Sequence, residues 1–423
     1  MKIAILGAGF TGLATALKLA EAGHKVTIFE REEQVGGLAT GFTRPGWEWT
    51  LEKAYHHWFT NDSYALSLAK KLRQEVITRR PRTDVLVEGH MIPFDSPLTI
   101  LAFPYLPPTD RIRTGLAGLY LKLTNNFQAM EETPALPWIR RFMGKRSARI
   151  IWEPLFLGKF GEYKDEILLS WFWARIKKRT ARLAYPAGGF QSFAEKIARA
   201  VEEKSGQILL KTTISELTTN GNGCIISYNH HHKKFDRVIS TLPTPILEKL
   251  AHHLPKEYIG NLLKTPHLHA LNLVLILKQP FLKNTYWLNI TDTAFPFLVL
   301  SEHTNFMDPV HYNGEHVLYI GNYLPPDHPY LKMSKKKLLK EFDPYLRKIN
   351  PNYKLSIIHS ELFISLFAQP VVTRGYREHI PDFHSPIPHL FIANMDMVYP
   401  WDRGTNYAIE LGEKIADIIN DET

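Results

Sequence analysis

The residues of this 423-residue chain most able to do chemistry by type and spacing are three glycines near its start. Gly7, Gly9 and Gly12 stand as G-x-G-x-x-G between an apolar run, KIAIL, and a run of helix formers. In that setting the first glycine allows a tight turn and the second lets backbone approach a pyrophosphate. The third packs helix against strand. Phe10 and Thr11 lie at the helix start, where free N–H groups and the positive dipole end face an anion. Glu30 ends the second apolar run, eighteen residues after Gly12, placed to accept hydrogen bonds from a ribose 2′-OH. Its charge disfavours a 2′-phosphate, so the pattern predicts a dinucleotide other than NADP.

Other chemistries find less support. Cys224 is the single cysteine, which excludes an intrachain disulfide, a Cys-based zinc site and an iron–sulfur cluster. It fits a reducing compartment and a cytoplasmic protein. His230, His231 and His232 precede Lys233 and Lys234 between two strand-like runs, CIISYN and FDRVIS. Adjacent histidines on a turn seldom converge on one ion, so a solvated hairpin tip is expected and no metal site. No G-x-S-x-G is present, and Cys224 reads as mid-strand. Glu153, in IIWEPLF, calls for an arginine partner; Lys159, in GKFG, reads as structural in the same way.

The elements that must hold the glycine turn are legible. KIAIL is a strand, LATALKLAEAG a helix with Ala16, Leu17, Leu19 and Ala20 on its apolar side, and HKVTIFE a second strand. Both strands are nearly all apolar, as in a parallel sheet covered on two faces. This change of period argues against a signal peptide, and no apolar run approaches the roughly 18–20 residues that span a bilayer. Residues 80–184 are mostly helical, punctuated by proline and rich in Trp, Phe and Leu. Residues 185–245 return to α/β style, with a Pro-Gly-Gly turn, a helix from Phe190 to Lys204 and strands ILLKTTISEL, CIISYN and RVISTL. Strand-like LNLVLIL and HVLYIGNY follow, and the chain closes with LFIAN and a helix from Thr405. The expected fold is α/β, with one sheet domain made from 1–79, 185–245 and 385–423. A second, α+β domain is inserted as 80–184 (helical) and 246–384 (sheet).

Residues 30–41, EREEQVGGLATG, place Gly36 and Gly37 six and seven residues beyond Glu30. This resembles the FAD-binding stretch of the flavin-containing amine oxidase superfamily, which includes protoporphyrinogen oxidase and phytoene desaturase. YPAGGFQSFAEKIARAVEEKSGQILLKTTISEL, VISTLP and LFIANMDMVYPWDRGTNYAIELG are similar to that family's later segments. The resemblance implies a Rossmann-type domain binding FAD through Arg31, Gly36, Gly37, Leu38 and Ala39. It adds Thr213 and Ile214 at the adenine, Thr241 beside the cofactor, and Gly404, Thr405 and Asn406 at a helix start facing the flavin. Leu38 stands where the family often has Arg. Asn394-Met395 replaces the usual Gly-Asp, with Asp396 or Asp402 as substitutes for the ribityl contact. The segment GWEWTLEKAYHHWF passes near the flavin ring in the family, which makes Lys53, His56 and His57 the catalytic candidates. A histidine there shuttles a proton near neutral pH, and a lysine holds a water or steadies the reduced ring. Tyr286, Trp287, Tyr323 and Phe363 read either as core or as lining of a substrate pocket.

The chain carries 51 Lys and Arg against 42 Asp and Glu, a net charge of +9. Residues 140–182 hold twelve of these cations and four acids, or +8 in 43 residues, interleaved with Trp152, Trp171 and Trp173. Such a segment suits a membrane surface, making the protein peripheral on the inner face, or an anionic substrate such as a nucleotide sugar or lipid phosphate. A solvated helical face is the plain alternative. Nucleic acid is not expected, because no recognised binding module accompanies the charge. The reaction expected is hydride removal from a C–N or C–C centre of a small molecule by an FAD-dependent oxidoreductase. The alternatives are an isomerase resembling UDP-galactopyranose mutase, and a flavoprotein without catalysis. Substrate, electron acceptor, any nicotinamide partner and oligomeric state are not written in these residues.

Overall fold

A computed structural model describes residues 1–219 and 221–422. Its central feature is a five-stranded parallel sheet in the order Gln207–Leu209, Lys25–Phe29, Lys2–Leu6, Arg237–Ser240, Leu390–Ile392. Three distant chain segments supply these strands. Leu6 pairs with Phe29 on one side and Ser240 on the other, so the strand ends that carry the glycine turn are level. Helices Phe10–Glu21, Gly189–Glu203 and Thr405–Asp421 cover one face in a shared core. The first and last of these cross closely: a Cβ at Gly412 would lie 2.5 Å from the Thr11 carbonyl oxygen. This is a Rossmann-type α/β domain.

The other face carries a three-stranded antiparallel sheet, Ile214–Thr219, Cys224–Tyr228 and His231–Phe235. ILLKTTISEL, expected as one strand, is thereby split. Lys211 turns at φ +51°, and the N–H groups of Lys211 and Thr212 bond back to the carbonyls of Glu32 and Glu30. Cys224 opens its strand rather than sitting mid-strand, and is buried. The tip of the next hairpin is Asn229-His230, both at positive φ, so only His230 is a turn histidine. His231 and His232 belong to the strand, and His232 Nδ1 meets Ser227 Oγ at 2.8 Å.

A second, seven-stranded sheet runs Ile357–Pro370, His267–Leu277, His316–Leu324, Val299–Glu302, Thr285–Ile290, Arg82–Val87, His90–Pro93. Its last two strands correct the helical reading of 80–184. Glu88 and Gly89 at φ +49° and +80° make the two-residue turn that a hairpin demands. Arg82–Val87 then pairs in parallel with Thr285–Ile290, so both inserted pieces share one sheet. His267–Leu277 is buried throughout: Leu273 and Leu275 face the helix Lys335–Ile349, Val274 and Ile276 the opposite core.

The basic segment also differs from its reading. Trp171 and Trp173 are buried, not interleaved with cations at a surface. Trp171 packs on Phe160 and Phe156, and Trp173 stacks on Phe127 and Trp401. No helix among the described residues is long and apolar enough to cross a membrane.

Candidate functional site

The glycine turn is built as its spacing requires. Gly7 adopts φ +101°, a region closed to side chains, and its N–H bonds the Phe29 carbonyl at 2.9 Å. A Cβ at Gly12 would stand 2.1 Å from the Gly7 oxygen, so only glycine lets the helix start flush against the strand. Gly9 is different: a Cβ there would meet nothing nearer than the Gly37 Cα at 3.8 Å. Gly36 donates to the Ala8 carbonyl at 2.8 Å and bridges Gly9, so the two glycine clusters form one cradle. Leu13 is the first residue to bond back into the helix, which leaves the N–H groups of Phe10, Thr11 and Gly12 without intrahelical acceptors. The Phe10 side chain turns inward against Phe193 and Phe190.

Glu30 receives Ala8 N–H on one carboxylate oxygen (2.8 Å) and Glu32 N–H on the other (2.9 Å). Each oxygen retains a lone pair for a ribose hydroxyl. Residues 211–212 run alongside, leaving Thr213 exposed and Ile214 half-buried just beyond. Arg31 pairs with Glu32 at 2.7 Å, Leu38 is exposed and Ala39 buried. Thr241 Oγ1 donates to the Leu6 carbonyl at 2.8 Å, beside Gly7. Gly7, Gly9, Gly12, Glu30, Gly36, Gly37 and Thr241 thus come together at the ends of the parallel strands.

Three of the C-terminal residues work through their backbone or not at all. Thr405 Oγ1 accepts the indole N–H of Trp58 at 2.7 Å, and Asn406 Oδ1 accepts Ala65 N–H at 3.1 Å. These side chains pin the helix that Gly404 caps, and only their N–H groups point out of its start. Asn394 is buried, accepting from Asp396 N–H and donating to Thr244 Oγ1, both at 3.1 Å. Asp396 is likewise occupied, by His267 Nε2 at 2.6 Å and Thr244 Oγ1 at 2.8 Å. Neither side chain reaches out as a ribityl ligand. An open glycine cradle, two helix N-termini and a carboxylate with free lone pairs nonetheless fit a dinucleotide.

Residues 53–57 lie between the two sheets. Lys53 is half-buried, its N–H on the Thr40 carbonyl at 2.9 Å. His56 Nδ1 donates to the Ala54 carbonyl at 2.7 Å, which leaves Nε2 as the acceptor of a neutral ring. Burial pushes its pKa down to about 4, against the Ala54 bond and with help from Arg403. His57 Nδ1 meets the Tyr286 hydroxyl at 3.0 Å; burial, then Arg179, holds it down to about 3. Both rings are neutral at pH 7, which does not suit the expected shuttle titrating near neutrality. Tyr286 and Trp287 do face this segment, Trp287 meeting Tyr55 edge-on at 4.8 Å. Phe363 packs instead on Phe42.

Sequence reasoning missed a cationic set at the same place. Arg175 Nη1 donates to Asp402 Oδ2 at 2.6 Å. Buried Lys159 holds its Nζ 4.0 Å from the same oxygen, and 5.0 Å from the ring centres of both Trp171 and Tyr323. Arg403 donates to Gln369 Oε1 at 2.9 Å and to the Tyr323 hydroxyl. The Arg179 guanidinium donates to Thr83 Oγ1 at 3.5 Å, and desolvation, then Arg175, pulls its pKa down to about 10 against the nearby Asp95. Burial pushes the Asp402 carboxyl up, but Lys159 and Arg175 outweigh that and hold it down to about 2. The field of Arg403 and Arg175 reaches Tyr55, that of Arg403 reaches His56, and that of Arg179 and Arg175 reaches His57. The signal was present as the surplus charge of 140–182, whose inward members the sequence did not mark. Glu153, by contrast, finds its arginine, Arg140, at 2.6 Å near the surface.

Fold and cradle together define a Rossmann-type dinucleotide-binding protein. Residues 10–420 match the sequence model of the flavin containing amine oxidoreductases; the chain belongs to that family, and its cofactor is FAD. A 51-residue stretch is 53% identical to 4,4'-diapophytoene desaturase (4,4'-diaponeurosporene-forming) of Staphylococcus haemolyticus strain JCSC1435. That match covers 12% of this chain and only 10% of the desaturase. A structure of a candidate protoporphyrinogen oxidase from Exiguobacterium sp. 255-15 superimposes with a TM-score of 0.78 at 15% identity, over 100% of this chain and 99% of the other. Reduced UDP-galactopyranose mutase gives 0.77 at 18% identity, over 100% and 96%. At such identities the likeness is one of fold.

Proposed function

We propose that this FAD-dependent oxidoreductase removes a hydride from a C–N or C–C centre of a small anionic substrate. One observation carries the reading: Arg175, Arg179 and Arg403 stand near His56 and His57, with Asp402 between Arg175 and Lys159. Arg175 and Arg179 are open to solvent, Arg403 is half-buried, and burial pushes the pKa of the Lys159 ammonium well below its usual range. With Arg175 bonded to Asp402, the three guanidinium groups together hold the surplus positive charge, which an anionic ligand would offset. In this reading residues 1–79, 185–245 and 385–423 hold the cofactor and 80–184 with 246–384 form the substrate side.

The bound flavin supplies the two-electron, hydride-accepting ring. Gly9, Gly36 and Gly37 admit its pyrophosphate, Glu30 its ribose, and the Thr405 and Asn406 N–H groups sit where negative charge would gather. Arg403 and Arg175 orient the anionic end of the substrate. Neutral His56 offers Nε2 as a hydrogen-bond acceptor, and the surrounding rings exclude water.

The test is anaerobic mixing of yellow holoprotein with paired substrates that share a C–N or C–C centre and differ in carrying a carboxylate or phosphate. Anionic members should bleach the flavin, and Arg403→Met should raise their KM by about tenfold, one charge-assisted contact. Equal bleaching by neutral amines would sink the anionic reading. The same cationic set suits a diphosphate, which supports a second reading as a UDP-galactopyranose mutase-like isomerase. Conversion of a UDP-sugar by reduced protein, with no net flavin oxidation, would select that one. A flavoprotein without catalysis would answer neither test.

A further inference from the structure

We propose that the outward face of helices Pro97–Leu101 and Pro108–Leu123 is a docking surface for an anionic lipid bilayer. Helix Pro108–Leu123 is amphipathic in reverse. Its buried side is Asp110, Thr114, Ala117 and Leu121, whereas Ile112, Leu116, Leu119 and Leu123 point to solvent at spacings of four, three and four. Leu116 is 62% exposed, Leu123 68%, and Leu98 on the preceding helix 77%. Soluble surfaces scatter such residues singly; a stripe on one face marks an interaction site. Arg111 makes the two helices one surface, donating to the carbonyls of Leu106 at 2.7 Å and Leu101 at 3.2 Å.

The border of this face says what covers it. Tyr120 stacks on Trp138 at 6.3 Å and Trp138 meets Phe142 at a tilt, 4.9 Å away, an aromatic edge of the kind found at headgroup depth. Arg113 flanks the stripe, bonded to the carbonyls of Arg141 and Phe142, and the Arg141 guanidinium lies 5.4 Å over the Phe142 ring. Residues 97–123 and 135–149 carry eight Lys or Arg and one acid, Asp110. Asp110 is buried, accepting the N–H groups of Arg146 and Ser147, so it does not offset the cations, of which Arg140 is paired with Glu153. Lys145, Arg146 and Arg149 are exposed beyond it.

Leucines bordered by guanidinium groups match acyl chains beneath anionic headgroups. A second copy is a poor partner, because a self-complementary contact would set these cations against themselves. The contact is peripheral, in keeping with the short helices. It lies upstream of the tryptophans first read as the membrane-facing residues. Lys122 Nζ, bonded to the carbonyls of Lys177 at 2.9 Å and Arg179 at 2.6 Å, clamps this face to the helix that carries Arg175 into the site.

The test is flotation of holoprotein with vesicles of phosphatidylcholine alone or mixed with phosphatidylglycerol. The protein should float with the mixed vesicles. Leu116→Glu with Leu123→Glu, both at exposed positions, should weaken this by about tenfold while melting temperature and flavin spectrum stay unchanged. Arg113→Gln with Arg141→Gln should weaken binding to mixed vesicles only. The proposal is overturned if the wild type fails to float, if it floats equally with phosphatidylcholine alone, or if the leucine variant floats normally. A dimer dissolved by the leucine variant, without flotation of the wild type, would assign the face to a second copy; capture of an acidic protein in place of vesicles would assign it to that partner.

Discussion

Gly9 and Gly12 share a motif and yet differ in what they do. At Gly12 a methyl group would meet a backbone oxygen at 2.1 Å, so Gly12→Ala must part the helix from its strand. At Gly9 the backbone is ordinary, φ −72°, and the space is open. Gly9→Ala should therefore leave the melting temperature of the apoprotein unchanged and weaken FAD binding by about tenfold, read by titration. Gly12→Ala should lower the melting temperature itself. Unaltered FAD affinity in Gly9→Ala would mean that the pyrophosphate does not pass over this residue. The histidines make a second prediction at this scale. With burial holding them down to about 4 and about 3, neither changes charge between pH 5 and 8. The rate of flavin bleaching should show no limb in that window that His57→Gln removes.

At the scale of elements, Glu52 joins three of them. Its carboxylate accepts the Tyr185 hydroxyl at 2.8 Å, from strand Leu183–Pro186, and Phe190 N–H at 2.7 Å, from the first turn of Gly189–Glu203. Its own carbonyl accepts the Tyr319 hydroxyl at 2.6 Å, from the second sheet. Burial raises its pKa from 4.5 to about 7, against these bonds. The folded state thus holds a proton that the unfolded chain releases. The stability this lends is complete below pH 4.5 and lost as pH rises through 7. Glu52→Gln keeps the acceptor and cannot ionise. Its unfolding free energy relative to wild type should climb between pH 5 and pH 8.5 by an amount on the order of 3 kcal/mol, read as a rising difference in melting temperature. A pH-independent difference would show that Glu52 is ionised throughout.

For the whole molecule the surplus charge has two destinations. Arg175 and Arg179 lie close enough to act on His57 and Lys159 is buried beside Asp402, whereas Arg141, Lys145, Arg146 and Arg149 lie around an apolar outer face. One stretch of sequence therefore serves a candidate substrate site and a candidate lipid contact. Acid works on the molecule in the opposite sense to Glu52. The histidines buried neutral at 56 and 57 are protonated first in the unfolded chain, so their contribution is complete above pH 6.5 and is lost as pH falls through 4.

The sequence by itself determined the parallel sheet, the glycine turn, Glu30, the second glycine pair and the family, because each is a local pattern with a fixed spacing. It also marked residues 53–57, through resemblance. Only the tertiary structure decided which side chains share a site. Arg403 and Arg175 meet because the C-terminal loop packs on a helix more than two hundred residues earlier, and no periodicity reports that. The split of ILLKTTISEL, the strand at 82–87 and the use of Thr405 and Asn406 as pins were likewise set by distant partners. The reversed helix at 108–123 has the period of any amphipathic helix; which face meets solvent is fixed only by what the rest of the chain places beneath it.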